Sequence, residues 1–215
     1  MRQSKQSVAR TEICKICFKP IEQSSFHYLL FKNPTICHDC LLKLSPVLQT
    51  FYIDDVECFH LYFYNEKVQE VLYQFKGCKD YELWTTFIEY YMTYLNIKFK
   101  GYELIPAPSS KESDLERGFN HVDEIFKSLR LKSLKCIHKT KQVKQADLTT
   151  KQREKIGKYL TIDNVDLTGK KILLVDDVYT TGSTIKAMIN LVKEKGAKKI
   201  KVLLMSKTID LEKRE

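Results

Sequence analysis

The stretch Ile172-Leu-Leu-Val-Asp-Asp-Val-Tyr-Thr-Thr-Gly-Ser-Thr184 restricts the fold more than any other part of this chain. Ile172, Leu173, Leu174 and Val175 form a continuous apolar run without polar alternation. Such a run marks a strand buried on both faces, the habit of parallel sheets with helices on either side. Asp176 and Asp177 then emerge at its C-terminal end, where open α/β sheets bind ligands. Thr180, Thr181, Gly182, Ser183 and Thr184 lead from there into a helix. Gly182 lets the backbone come close to a phosphate, and consecutive N–H groups, hydroxyls and the helix N-terminus cradle the anion without a lysine. The carboxylates, at the ligand's other end, suit ribose hydroxyls, directly or through a Mg²⁺ shell. The stretch has neither the Walker pattern G-x4-G-K-[ST] nor G-x-G-x-x-G. The plainer reading is a strand end followed by a Ser/Thr-capped helix, with both aspartates solvated.

The rest of the chain alternates strands and helices, as a parallel α/β sheet requires. A strand is expected at 56–64. A helix follows at 66–75, with Val68, Val71, Leu72 and Phe75 on one face and Gly77 ending it. Asp80 is placed to cap a helix running to about residue 96. A strand at 102–106 precedes a long polar loop, then come a helix at 119–129 and a strand at 134–138. Residues 139–147 show no apolar periodicity, and a helix is expected near 150–158. The last helix spans 184–194, closed by Gly196, and the last strand 200–205. Lys76, just before Gly77, either reaches a phosphate or complements its own helix C-terminus. The boundary between a small N-terminal module (1–50) and the α/β body (51–215) falls near Ser45 and Pro46.

That module is defined by Cys14, Cys17, Cys37 and Cys40, spaced C-x2-C-x19-C-x2-C. Two CxxC turns each present a pair of thiolates, and together they close a tetrahedron around structural Zn²⁺. A segment this short cannot stabilise itself by burial alone, so the metal supplies folding free energy. His38 is a possible substitute ligand, but four thiolates are the simpler set. A redox pair of CxxC motifs is disfavoured because neither precedes the helix of a βαβ unit. Cys58, Cys78 and Cys136 are isolated and read as small buried hydrophobes. An odd total of seven cysteines, with no apolar leader at the N-terminus, points to a reducing cytoplasm.

At 43% hydrophobic and 29% charged residues, the chain buries a core and is not a disordered polymer. No apolar run approaches the roughly 20 residues of a membrane span. The formal charge of +9 admits polyanionic partners. It is unevenly spread: residues 51–130 are net acidic, and Lys and Arg are in excess from residue 131 onward.

VDDVYTTGST closely resembles the signature with which type I phosphoribosyltransferases bind 5-phosphoribosyl 1-diphosphate (PRPP). With the cysteine module, VQEVLYQFKGCKD, LIPAPSSKESDLERGFNH and KQADLTTKQR in the same order, the chain resembles the ComF family of competence proteins, ComFC type. The resemblance implies a type I phosphoribosyltransferase fold, a mostly parallel sheet flanked by helices, behind a zinc-ribbon-like module. It implies that Asp176 and Asp177 bind the ribose hydroxyls of PRPP and that residues 180–184 hold its 5-phosphate. Loop 108–118 resembles the pyrophosphate loop, with the backbone of Ser109 and Ser110 and the side chain of Arg117 facing the diphosphate. Arg117 has a plainer alternative, an ion pair with Glu116 or Asp114. The stretch around 144–148 resembles the lid of these enzymes, although Lys144 is as readily a solvated side chain.

The family implies a cytoplasmic role in DNA uptake during natural transformation. Its expected partners are PRPP with Mg²⁺, single-stranded DNA and a competence helicase, without membrane insertion. Phe26, Tyr28 and Phe31 offer base-stacking surfaces or, more simply, a core around the zinc. The alternative is an active phosphoribosyltransferase of base or amine salvage, a glycosyltransferase without a DNA role. No set of side chains in the sequence identifies an acceptor or a catalytic group.

Overall fold

The computed structural model describes residues 12–21, 35–139 and 160–209. A short helix α1 (His38–Leu44) leads into a hairpin of β1 (Pro46–Ile53) and β2 (Val56–Phe63). Helix α2 (Glu66–Lys76) follows, then two 3₁₀ segments (Tyr81–Thr86 and Glu89–Tyr91) and α3 (Met92–Lys98). Next come β3 (Glu103–Pro106), α4 (Lys111–Arg117), α5 (His121–Phe126), β4 (Ile137–Lys139) and β5 (Leu160–Ile162). The chain closes with β6 (Lys171–Tyr179), α6 (Ser183–Glu194) and β7 (Lys199–Lys207).

Five strands form one sheet in the order β1-β2-β7-β6-β3. Only the β1–β2 hairpin is antiparallel; β2, β7, β6 and β3 run parallel, so their C-terminal ends share one edge. Strands β4 and β5 make a separate antiparallel pair.

The apolar run of β6 behaves as expected. Leu173 and Val175 face one buried cluster and Ile172 and Leu174 the other, all fully buried. Helix α6 covers one face with Ile185, Met188, Ile189 and Val192. The opposite face is covered by α2, through Val68, Val71, Leu72 and Phe75, and by α5. Asn65 starts α2 by accepting a hydrogen bond from Val68 N at 2.8 Å. Cys14, Ile21, Ile36, Cys40, Leu41 and Leu44 pack into that same cluster, so the cysteine segment and the α/β body share a core.

Several expectations need correction. The helix expected over 80–96 is broken into two 3₁₀ segments and α3, and Asp80 makes no side-chain cap. The Thr86 hydroxyl donates to Leu83 O at 2.7 Å, and Leu83, Thr85, Thr86, Phe87 and Ile88 are all buried. Burial on every side, with hydroxyls competing for carbonyls, favours the tighter turn. The supposed polar loop after β3 contains α4, capped by Ser110 and closed by Gly118 at φ 86°.

Gly77 is not a left-handed stop. It keeps φ −86°, and an added Cβ would lie 2.9 Å from the Tyr73 ring, so its size is what matters. Strand β6 extends beyond Val175 through both aspartates to Tyr179. Cys78 is exposed, whereas Cys58 and Cys136 are buried. The expectations for 140–158, including the lid and the helix near 150–158, and those for Phe26, Tyr28 and Phe31 fall outside the described residues.

Candidate ribose-phosphate site and cysteine cluster

The shared C-terminal edge of the sheet carries the acidic pair. Asp177 N–H donates to Asp176 Oδ1 at 2.9 Å and Val178 N–H to Asp177 Oδ1 at 2.8 Å, so each carboxylate folds back on the following peptide. Ser206 Oγ, on β7, donates to Asp177 O at 3.3 Å. The other Asp177 oxygen faces cations. Lys76 Nζ, from the end of α2, donates to Oδ2 at 2.6 Å, and His121 Nε2, at the start of α5, lies 3.3 Å from it. Arg117 completes the network. Its Nη1 lies 3.0 Å from His121 Nδ1 and 3.4 Å from Asp114 Oδ1, and its Nε donates to Lys76 O at 3.3 Å.

These contacts fix protonation states. A guanidinium only donates, so His121 Nδ1 accepts and the ring proton sits on Nε2, aimed at Asp177. Burial lowers the His121 pKa, which keeps the ring neutral. For Asp177 burial alone would raise the pKa, but the His121 hydrogen bond and the Lys76 ammonium outweigh it and hold the carboxyl well below its ordinary range. Asp176 moves the other way, raised by burial and then by the charge of Asp177. The two carboxyls thus shift in opposite directions, with the cationic and hydrogen-bond partners gathered on Asp177.

The hydroxyl loop follows directly. Gly182 occupies the left-handed region at φ 73° and caps α6 without a side-chain hydrogen bond. The first N–H groups of α6 therefore keep no partner within the helix and point into the loop. Thr181 Oγ1 and Ser183 Oγ are 2.8 Å apart, with Thr180 exposed and Thr184 half-buried beside them. The loop after β3 begins beside β6, where Ala107 N donates to Val175 O at 2.8 Å. Ser110 Oγ is committed to capping α4, accepting from Ser113 N, and Ser109 is half-buried just before it. Of the two readings of Arg117, the structure displays the ion pair with Asp114, and it adds a link to Asp177 through His121. Glu116 is not its partner among the ion pairs of the described residues.

Sequence reasoning missed His121, and neither role weighed for Lys76 is the contact observed. Their only signals were a lysine immediately after an apolar helical stripe and a histidine after R-G-F-N. Nothing in the spacing reveals a pair separated by 101 positions. An open cleft of ≈ 590 Å³ runs along α2 to Lys76, lined by Tyr64, Glu66, Gln69, Tyr73 and Gly77.

The four expected cysteines converge, with all four Sγ atoms within 4.8 Å of one another. Cys14 N accepts the turn geometry by donating to Lys19 O at 2.9 Å, and Phe18 N–H returns to Cys14 O at 2.9 Å. Cys37 caps α1 and Cys40 lies in its first turn. Lys15 N–H to Thr35 O, 2.9 Å, ties the two halves. The Cys17 and Cys37 sulfurs are 3.7 Å apart, against about 3.8 Å for an edge of a tetrahedron with 2.3 Å Zn–S bonds. The donor set is compatible with zinc. A hydrogen bond to the Lys19 backbone lowers the Cys17 thiol to about 7, whereas burial raises Cys37 and Cys40.

Residues 117–214 match the phosphoribosyl transferase domain. The sheet, the acidic strand end and the hydroxyl loop are the parts of that α/β fold the geometry displays. Over most of its length the chain also resembles two curated competence proteins. Competence protein ComFC of Streptococcus pneumoniae is 29% identical over 171 residues, covering 78% of this chain and 73% of that one. Competence protein ComFC of Bacillus subtilis is 27% identical over 186 residues, covering 86% and 72%. A ribose-phosphate pyrophosphokinase of Thermoplasma volcanium is 51% identical over 43 residues, covering 20% of this chain and 15% of that one. The chain thus resembles ComFC competence proteins over most of its length, its C-terminal part matches the phosphoribosyl transferase domain, and its N-terminal part carries a four-cysteine cluster. No helix among the described residues is long and apolar enough to cross a membrane.

Proposed function

We propose that this protein binds PRPP with Mg²⁺ at the C-terminal edge of its sheet and serves competence, handling incoming single-stranded DNA in the cytoplasm. The observation that carries the reading is the order along β6 and α6. Two adjacent carboxyls, Asp177 paired with Lys76 and His121, are followed within five residues by a left-handed Gly182 and a helix N-terminus without a side-chain cap. Asp177 accepts from a ribose hydroxyl, Asp176 donates or accepts beside it, and the N–H groups and hydroxyls of residues 180–184 hold the 5-phosphate. Ser109, Ser110 and Arg117 border the diphosphate end. Oxygen donors of this kind suit Mg²⁺, which when bound neutralises diphosphate charge. The cysteine cluster holds structural zinc. The competence role rests on likeness to the two ComFC proteins, and the excess of Lys and Arg after residue 131 supports a polyanionic partner.

The test is calorimetric titration with PRPP and Mg²⁺, with and without a single-stranded oligonucleotide. Saturable PRPP binding is expected, weakened roughly tenfold to a hundredfold in Asp177→Asn, the worth of a charge-assisted hydrogen bond. Oligonucleotide binding should weaken as salt rises. Heat-silent titrations of the folded protein would reject the reading. The cleft beside Lys76 favours a second reading, an active transferase with an acceptor seated along α2. Pyrophosphate release with one member of a panel of bases and amines would establish it.

A further inference from the structure

Asp177 Oδ2 accepts a hydrogen bond from Lys76 Nζ at 2.6 Å and lies 3.3 Å from His121 Nε2. A ribose hydroxyl arriving at this carboxylate must displace one of them. His121 has little freedom, since it is buried and its Nδ1 is held by Arg117. Arg117 is itself fixed by three acceptors, Asp114 Oδ1, His121 Nδ1 and Lys76 O. Lys76 differs from both. Its side chain is 32% exposed, and it is a point charge on a four-carbon stem with freely turning donors. Its position is equally telling. The carbonyl of Lys76 is tied to Arg117, which closes the helix following loop 107–110, while its ammonium reaches Asp177. The residue therefore touches both ends of the site, the arginine end through its backbone carbonyl and the carboxylate end through its ammonium.

We propose that Lys76 is a two-position ligand residue: it caps Asp177 in the empty site, and when PRPP enters, a ribose hydroxyl replaces it and its ammonium turns to the diphosphate beside Arg117. The inference rests on the PRPP reading of the site. Its physical basis is charge. A diphosphate brought next to the Asp177 carboxylate meets like-charge repulsion in a partly desolvated site, and a mobile cation between them relieves it. The ribose hydroxyl keeps Asp177 paired as the lysine leaves, so no buried carboxylate is stranded. A fixed counter-ion is the rival. A lysine that only neutralised Asp177 would compete with every ribose ligand, and removing it would help them all.

The two are separated by titrating wild type, Lys76→Met and Lys76→Arg with PRPP and with ribose 5-phosphate, Mg²⁺ present throughout. Ribose 5-phosphate keeps the sugar and the 5-phosphate but lacks the diphosphate. Lys76→Met should bind PRPP roughly tenfold more weakly while binding ribose 5-phosphate as well as wild type or better, and Lys76→Arg should retain PRPP affinity. Equal weakening of both ligands makes the lysine a mere support for Asp177, and tightening of both makes it a fixed counter-ion. Either result, or no change, overturns the proposal. Thermal melts of the empty proteins establish that the variants fold, and Lys76→Gln replaces the Met variant should it not. A folded wild type that binds no PRPP rejects the parent reading and this one with it. A wild type that binds, with variants that do not discriminate the two ligands, rejects the role of Lys76 alone.

Discussion

The four-cysteine cluster and the carboxylate edge face the same difficulty, ionisable groups of one sign held close together, and they meet it with different resources. At the sheet edge the chain supplies its own partners: the Lys76 ammonium touches Asp177, the neutral His121 ring donates to it, and Arg117 locks His121. The sulfurs converge within 4.8 Å, and burial works against ionising Cys37 and Cys40 without a cation among them. A metal there would hold structure, whereas the charge at the edge is already balanced by side chains of the chain itself. The comparison separates a cluster that calls for an outside cation from one that the fold neutralises internally.

The largest effect should therefore come from the cysteines. Cys14 and Cys40 are buried in the cluster that also holds Leu41, Leu44, Val68 and Phe75, so loss of a metal held by them would disturb the main core. Cys40→Ser should abolish bound zinc, measured by elemental analysis, and destabilise the protein by about 4 kcal/mol or more. A chelator should do the same to wild type. A melting curve indifferent to both would erase the distinction between the two clusters.

A smaller effect is expected at Gly182, on the edge side. Its φ of 73° disfavours any side chain, and an added Cβ would lie 2.6 Å from ring carbons of Tyr179. Gly182→Ala should cost about 2 kcal/mol from the backbone and the displaced ring together. Because the residue caps α6 where the 5-phosphate is expected, PRPP affinity should fall as well. Stability lost with affinity intact would move the phosphate away from this turn.

What the sequence made legible follows from range. The cysteine spacing and the run from Ile172 to Thr184 are local patterns, and both appear where the residues placed them. The apolar face of α2 and the helix closed by Gly196 were readable for the same reason. The break after Asp80 was not, because Leu83, Thr85, Thr86, Phe87 and Ile88 are all buried and periodicity has little contrast there. Helix α4 was hidden because it buries no residue, and its signals were a capping serine and a closing glycine inside a polar stretch. The contacts of Lys76 and His121 with Asp177 span 101 and 56 positions, and only the tertiary fold brings them together.

The smallest expected effect tests whether the edge is neutralised as described. His121 lies between Asp177, which also holds the Lys76 ammonium, on one side and Arg117 on the other, and its pKa is lowered from 6.5, chiefly by burial. A group whose folded pKa lies below its unfolded value leaves the unfolded chain binding more protons as pH falls. Its contribution to stability is thus present above pH 6.5 and declines as pH drops from 6.5 toward the folded value. In atomic terms, a second ring proton must appear on Nδ1, where Arg117 Nη1 already donates, so protonation breaks that contact. Melting temperatures measured from pH 7.5 to 5 should fall more steeply for wild type than for His121→Gln, which does not titrate. Parallel profiles would mean that the ring is not held neutral between the guanidinium and the carboxylate, and the edge would then share with the cysteines a need for an outside ion.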